Sequence, residues 1–213
     1  MTEKTVAILE NLIFRYPSLR ECREEIVSAY ETLVECFASG GKLLIAGNGG
    51  SAADAEHMVG ELMKSFVKRR PVSPALKEAL VAADPEAGAE LADTLQGALP
   101  AIALDGHPAL GTAWINDCDP LMGFAQQVLG YGKSGDVLIA VSTSGTSRNV
   151  LHAVTVAKAL GLRTVGLTGR SGGKLALRCD VCIRVPESET YKVQELHLPV
   201  YHAICQMLEE RFF

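Results

Sequence analysis

The sequence has no apolar run approaching the roughly 20 residues that span a bilayer. Its opening stretch, MTEKTVAILENLIF, places acidic side chains where a secretory leader carries a basic region. A cytoplasmic protein with no membrane partner is the expectation. Positive charge is not in excess: 20 Lys+Arg stand against 25 Asp+Glu, and the one compact basic cluster is VKRR at 67–70. A nucleic-acid partner is therefore not expected. A disulfide framework is also missing, because six cysteines in a cytosolic chain read as reduced thiols. Cys179 and Cys182 form a C-x-x-C without a second pair and are expected to be buried and inert. Neither G-x-x-x-x-G-K-[ST] nor H-E-x-x-H occurs, which removes a P-loop nucleotide site and a zinc-protease helix.

What is present is apolar material in two patterns. With 48% hydrophobic residues, 213 residues can bury one sizeable core, and a single domain over 1–213 is the expectation. In 1–40 the apolar positions Val6, Leu9, Leu12 and Ile13, then Ile26, Tyr30, Leu33 and Val34, recur at helical spacing. Pro17 should end the first of two helices, with Ser18 capping the second. Beyond Gly41 the apolar residues gather into short runs: KLLIAG, PAIALDG, DVLIAVSTSG, RTVGLTGRSGG and VCIRVP. Such continuous runs suit strands buried on both faces, and helical stretches alternate with them. The fold class is α/β, a doubly wound parallel sheet of about five strands. An insertion at 66–100, in which Pro71 and Pro74 precede an alanine-rich, charged stretch, reads as one or two short surface helices, either solvent-facing or a lid. The chain closes with a long helix whose apolar face is Val193, Leu196, Val200, Ile204 and Leu208.

Two units share one design, strand then small-polar loop then helix: LLIAGNGGSAADAEHMV and VLIAVSTSGTSRNVLHAV. In open α/β sheets ligands sit at the carboxyl ends of strands. In the second unit a run of hydroxyls in STSGTSRN (142–149) precedes a helix, and hydroxyls together with free N–H groups at a helix start suit a phosphate. In the first, Gly47, Gly49 and Ala52 match the dinucleotide fingerprint. The acidic residue that should follow is found only at Asp105, past the insertion, so a nicotinamide cofactor is not indicated. The glycines still admit a ligand close to the backbone, and Asn48 and Ser51 can donate to its hydroxyls. His57 and Glu61 lie four apart on the helix that follows and share a face, suiting a metal ion or an acid–base pair. The last helix adds Gln194, His197 and His202. Gln194 and His202 are about 12 Å apart on an ideal helix. Either Pro199 kinks the helix or delays its start, or the two serve one site from different subunits.

Taken together, GNGGSAADAEHMVGEL, STSGTSRNV, LTGRSGGKLA and VQELHLPVYH resemble the sugar isomerase (SIS) superfamily and, within it, the phosphoheptose isomerases. The resemblance covers nearly the whole chain outside the insertion, which is longer than in compact relatives. It implies a flavodoxin-like three-layer fold and a homotetramer with shared active sites, converting sedoheptulose 7-phosphate to D-glycero-D-manno-heptose 7-phosphate. By position it implies that Ser142, Thr143, Ser144 and Ser147 take the phosphate. Asn48, Gly49, Ser51, Asn116, Asp117 and Gln194 would line the substrate, with Glu61 as base and His202 as acid. It also implies a zinc ion held by His57, Glu61, Gln194 and His202, and no nucleotide cofactor. Tyr191 stands where the family often has an aspartate.

Three rivals remain at this level. A non-catalytic SIS protein, either a sugar-phosphate sensor or a partner of the replication initiator, would keep the serine loop but need no acid–base pair. An isomerase for another sugar phosphate would keep both, and a nicotinamide enzyme neither. Of the other histidines, His152 reads as a satisfied structural residue, His107 as a loop residue, and His197 as a support for its helix.

Overall fold

The computed structural model describes all 213 residues, Met1–Phe213. In chain order its elements are α1 (Glu3–Arg15), α2 (Arg23–Ala38), β1 (Leu43–Ala46), α3 (Gly50–Met63), α4 (Pro74–Ala83), α5 (Pro85–Thr94) and β2 (Ala101–Ala103). Then come α6 (Pro108–Asp117), α7 (Gly123–Tyr131), β3 (Val137–Val141), α8 (Arg148–Ala159), β4 (Arg163–Thr168), α9 (Leu175–Arg178), β5 (Val181–Arg184) and α10 (Thr190–Phe212). The five apolar runs of the sequence are the five strands. They pair in parallel in the order β2-β1-β3-β4-β5, with Leu43 opposite Ala101 on one side and Val137 on the other.

Alternation along each strand divides the core into two layers. Leu43, Ile45, Val137, Ile139 and Val141 face a large layer with Leu9, Leu33, Met58 and Leu208 from α1, α2, α3 and α10. Leu44, Ala46, Leu138 and Ala140 face a smaller layer with Val128 of α7 and Val150 and Val154 of α8. Both faces of the central strands are covered, so these strands are buried at every position. This order reverses direction between β1 and β3, and the crevice at such a reversal is where doubly wound sheets bind ligands.

Two expectations need correction. Ser18 does not cap α2: it lies in a 3-10 turn, Pro17–Cys22, that Pro17 opens, and α2 starts at Arg23 without a side-chain cap. The last helix does not start late. It runs unbroken through the buried Pro199, whose missing N–H forgoes one bond to Glu195. Within VKRR, Arg70 is buried against Glu209, both of them 0% exposed.

That ion pair anchors the insertion. Arg70 Nε donates to Glu209 Oε1 at 2.7 Å, and its terminal nitrogens donate to the carbonyls of Leu62 and Glu61 at the end of α3. Glu209 in turn accepts from the N–H groups of Phe66, Val67 and Lys68. Burial works to raise the Glu209 pKa, but these N–H groups and the guanidinium prevail and hold it below the usual carboxylate value. Beyond this anchor α4 and α5 are capped by Ser73 and Asp84 and begin with proline, and α4 buries no residue. No helix is long and apolar enough to cross a membrane.

Candidate active site

The loop after β3 carries the hydroxyls to the carboxyl edge of the sheet. Ser142 and Ser147 hydrogen-bond to each other at 2.9 Å, as do Ser144 and Thr146. Ser147 is the N-cap residue of α8, yet its hydroxyl caps no backbone N–H. The start of α8 is thus only partly capped, by Asn149 Oδ1 accepting from the Val150 N–H at 3.0 Å, and its partial positive charge is directed at the loop. Gly145 holds a positive φ and abuts Gly172 and Gly173, so no side chain fits at the contact between this loop and the one after β4. Lys174 and Leu175 donate their N–H groups to the Gly145 carbonyl, and Gly169 to that of Thr143. Backbone contacts on both sides therefore shape the loop.

The loop after β1 faces it across the crevice. Asn48 and Asn149 exchange reciprocal side-chain hydrogen bonds of 3.0 and 2.7 Å, tying the two loops together. Gly49 is the N-cap of α3 and offers no side chain, while Ser51 is buried in its first turn. The Gln194 amide lies directly against Gly50, where a Cβ would collide with it. Gln194 therefore stands at the loop end of α3. Asn116 donates to Asp117 Oδ1 at 2.8 Å at the exposed end of α6, and neither side chain hydrogen-bonds to either loop.

A second group of polar side chains lies two to three turns further along α3. His57 Nε2 is 3.1 Å from Glu61 Oε1 and 3.4 Å from His202 Nε2. Glu61 also pairs with Lys64 at 3.3 Å. Burial pushes the His202 imidazole below its ordinary value, His57 adds to the effect, and Glu61 opposes it. The other nitrogen of His57, Nδ1, is 3.0 Å from the Tyr201 hydroxyl, which donates to Asp54 Oδ1 at 3.2 Å. Burial raises the Tyr201 phenol well above its ordinary value, with Asp54 adding to the effect, so it stays protonated. Asp54 is also raised by burial, and its Oδ2 has no partner.

The structure thus brings together three of the four residues expected to hold zinc, His57, Glu61 and His202, but not Gln194. No group of three or more His, Cys, Asp or Glu side chains converges as a metal set within the chain. Gln194 stands apart because the unbroken α10 keeps it about 12 Å from His202. Tyr191 is exposed at the start of α10. Asp54, Asn149 and Tyr201 escaped the sequence reading. Asp54 had a signal, since it sits three residues before His57 on one helix face. Tyr201 reads as one more member of a buried stripe.

The remaining histidines and cysteines lie elsewhere. His197 is fully buried, and burial pushes its pKa down to about 4, lifted slightly by the Thr168 backbone. Neither of its ring nitrogens has a partner at hydrogen-bond geometry. His152 is not satisfied as expected: its Nε2 is buried and unpartnered, as is that of His107, which immediately precedes α6. All six cysteines are free, and Cys179 and Cys182 are half-buried rather than fully buried. Desolvation pushes their thiols up to about 12 and about 11, which makes them poor nucleophiles.

A five-stranded parallel sheet in this order, with a hydroxyl loop at its switch point, is the doubly wound architecture of ligand-binding α/β domains, and the SIS domain family model matches residues 18–84 and 79–169. The match runs on through the insertion at 66–100. The phosphoheptose isomerase of Rhodospirillum rubrum is 37% identical over 192 residues, covering 90% of this chain and 88% of the relative. Among solved structures, the phosphoheptose isomerase from Francisella tularensis superposes with a TM-score of 0.75 at 30% identity, covering 99% of this chain and 100% of that one. The corresponding enzyme from Neisseria gonorrhoeae gives 0.73 at 32% identity, covering 98% of both chains. The chain belongs to the phosphoheptose isomerase family, and it is an isomerase.

Proposed function

We infer that this chain is one SIS domain that interconverts sedoheptulose 7-phosphate and D-glycero-D-manno-heptose 7-phosphate through an enediol. The observation that carries the reading is the contact of His57 with both Glu61 and His202. A sugar-phosphate sensor or an initiator-binding protein has no need of a carboxylate set among imidazoles, and the family membership favours catalysis.

The chemistry requires a proton to leave one carbon and return to its neighbour while the carbonyl oxygen gains one. Glu61 is the group of suitable type to take the carbon-bound proton. His202, held neutral near pH 7 by its lowered pKa, can still donate an N–H to the carbonyl oxygen. The phosphate is assigned to Ser142, Thr143, Ser144 and Ser147 with the start of α8. Asn48, Gly49, Ser51, Asn116, Asp117 and Gln194 are assigned to the sugar.

Glu61 is eleven residues along α3 from Gly50, about 16 Å on an ideal helix. Gln194, which lies against Gly50, is at the far end of that span from Glu61. The separation supports a homo-oligomer, in the family manner a tetramer, in which the loop of one copy and the acid–base group of another share a substrate.

The donor types suit zinc. The separations of 3.1 and 3.4 Å around His57 resemble the roughly 3.4 Å between ligands that bonds of about 2.1 Å impose in a tetrahedron. His57, Glu61 and His202 would hold the ion, with Gln194 supplied by a neighbouring copy. Zinc there would polarise the substrate carbonyl as a Lewis acid. A coordinated Glu61 would be a weaker base, so metal occupancy and proton abstraction by Glu61 are separate claims. The enzyme is read as cytoplasmic.

The test follows sedoheptulose 7-phosphate and fructose 6-phosphate by NMR with the purified protein, with zinc and with chelator. Conversion of the heptulose alone is expected. Conversion of fructose 6-phosphate instead would assign another sugar phosphate, and no conversion of either would return the sensor reading.

A further inference from the structure

His57 has one ring nitrogen toward the reacting group and one away from it, and the residues behind it decide which carries a proton. Resting on the functional reading above, we propose that Asp54 and Tyr201 are positioning residues that keep a proton on Nδ1 of His57 and so reserve its Nε2 for the Glu61 and His202 side.

Asp54 sits one turn before His57 on α3, and its Oδ1 is 3.2 Å from the Tyr201 hydroxyl. A carboxylate can only accept, so the single phenolic proton points to Asp54. The lone pairs of the same oxygen then face His57 Nδ1 at 3.0 Å. Two lone pairs cannot make that contact, so Nδ1 bears the hydrogen and donates it to Tyr201. The direction is fixed along the whole chain, from His57 to Tyr201 to Asp54. It holds whether Nε2 is bare, protonated or bound to a metal, because only Nδ1 is addressed.

Burial strengthens the device. Tyr201 is 2% exposed, so water does not compete for its hydroxyl. Asp54 Oδ2 is buried without a partner, which leaves the Tyr201 hydroxyl as the one side-chain donor to this carboxylate. The His57 and Tyr201 rings meet edge to face with centroids 5.6 Å apart, and His202 packs edge to face on both. The residue that holds His57 from behind therefore also abuts His202. Hydrogen-bond partners behind a working imidazole commonly fix its tautomer and are worth about 10- to 100-fold in activity or metal affinity.

The test is the protonation state of the five histidine rings, read from ring-nitrogen chemical shifts in the full-length protein at mildly alkaline pH with chelator present. Wild type is expected to show His57 with a proton on Nδ1. Tyr201→Phe keeps the ring but strands a buried carboxylate. The double variant D54A/Y201F removes that charge as well and serves as the check if the single variant folds poorly. In either, a large share of His57 is expected to move its proton to Nε2, toward Glu61. With sedoheptulose 7-phosphate, kcat should fall about 10- to 100-fold with KM within about twofold. A wild-type ring protonated on Nε2, or a variant ring still protonated on Nδ1, overturns the proposal. Should the wild type fail to convert the heptulose, the functional reading falls while the ring-nitrogen result still decides the tautomer claim.

Discussion

The two polar regions of the molecule are built on different principles. The loops at the switch point, 47–50 and 142–147, are made of glycines, hydroxyls and backbone, and contacts between loops shape them. The group around His57 is made of side chains, projecting from α3 and from α10 and meeting only because those helices pack in one register. The first suits an anion with a fixed shape, since N–H groups and hydroxyls need only be near one another. The second suits proton transfer, which depends on which atom carries a hydrogen. Binding and chemistry are thus carried by separable pieces of structure.

That division can be tested by breaking each side in turn. Glu61→Gln touches only the helix-borne group, and kcat is expected to fall by about 10²- to 10⁴-fold with little change in KM, measured by steady-state kinetics. An equal rise in KM would show that the carboxylate also binds substrate. Glu209→Gln leaves Arg70 buried without its counter-charge and loosens the end of α3 that carries Glu61. A loss of about 3–5 kcal/mol is expected, on the order of 10 °C in melting temperature by calorimetry.

His197 tests α10 without touching either polar region. Its folded pKa of about 4 lies below its ordinary 6.5, so the unfolded chain binds the proton more readily. The stabilisation from keeping it neutral is complete above about pH 6.5 and is lost as the pH falls toward 4. It amounts to about 3 kcal/mol at about 1.4 kcal/mol per pH unit. Denaturant titrations at pH 7 and pH 4.5 should show that loss in wild type and a much flatter response in His197→Leu. Ser147→Ala falls on the loop side only. It should raise KM about 10-fold or somewhat more, the worth of one hydrogen bond to a charged group, while leaving kcat nearly unchanged.

The same division governs what could be read from the sequence. All five strands lie within apolar runs, most plainly β1 and β3, which are covered on both faces and buried at every position. The two loops were legible for a related reason: strand, loop and helix start are contiguous in the chain. The helix-borne group was legible only in part. His57 and Glu61 share a helix, but their contact with His202 and Tyr201 depends on α3 packing against α10, which no local spacing encodes. Arg70 and Glu209 show the same limit, since a residue in a basic run looks exposed until its partner 139 positions away is known. Ser18 and Pro199 failed in the opposite sense. Local preferences for a cap and a break were overridden, the first by a 3-10 turn and the second by burial of α10 along its length.

The central claim is that a carbon-bound proton passes through Glu61. It is tested most directly by incubating sedoheptulose 7-phosphate in D2O with wild type and with Glu61→Gln and watching by NMR for solvent deuterium at the carbons next to the carbonyl. Wild type is expected to incorporate deuterium as it isomerises, and the variant to do neither at a comparable rate. Deuterium uptake by Glu61→Gln at the wild-type rate would contradict the account and place the base elsewhere.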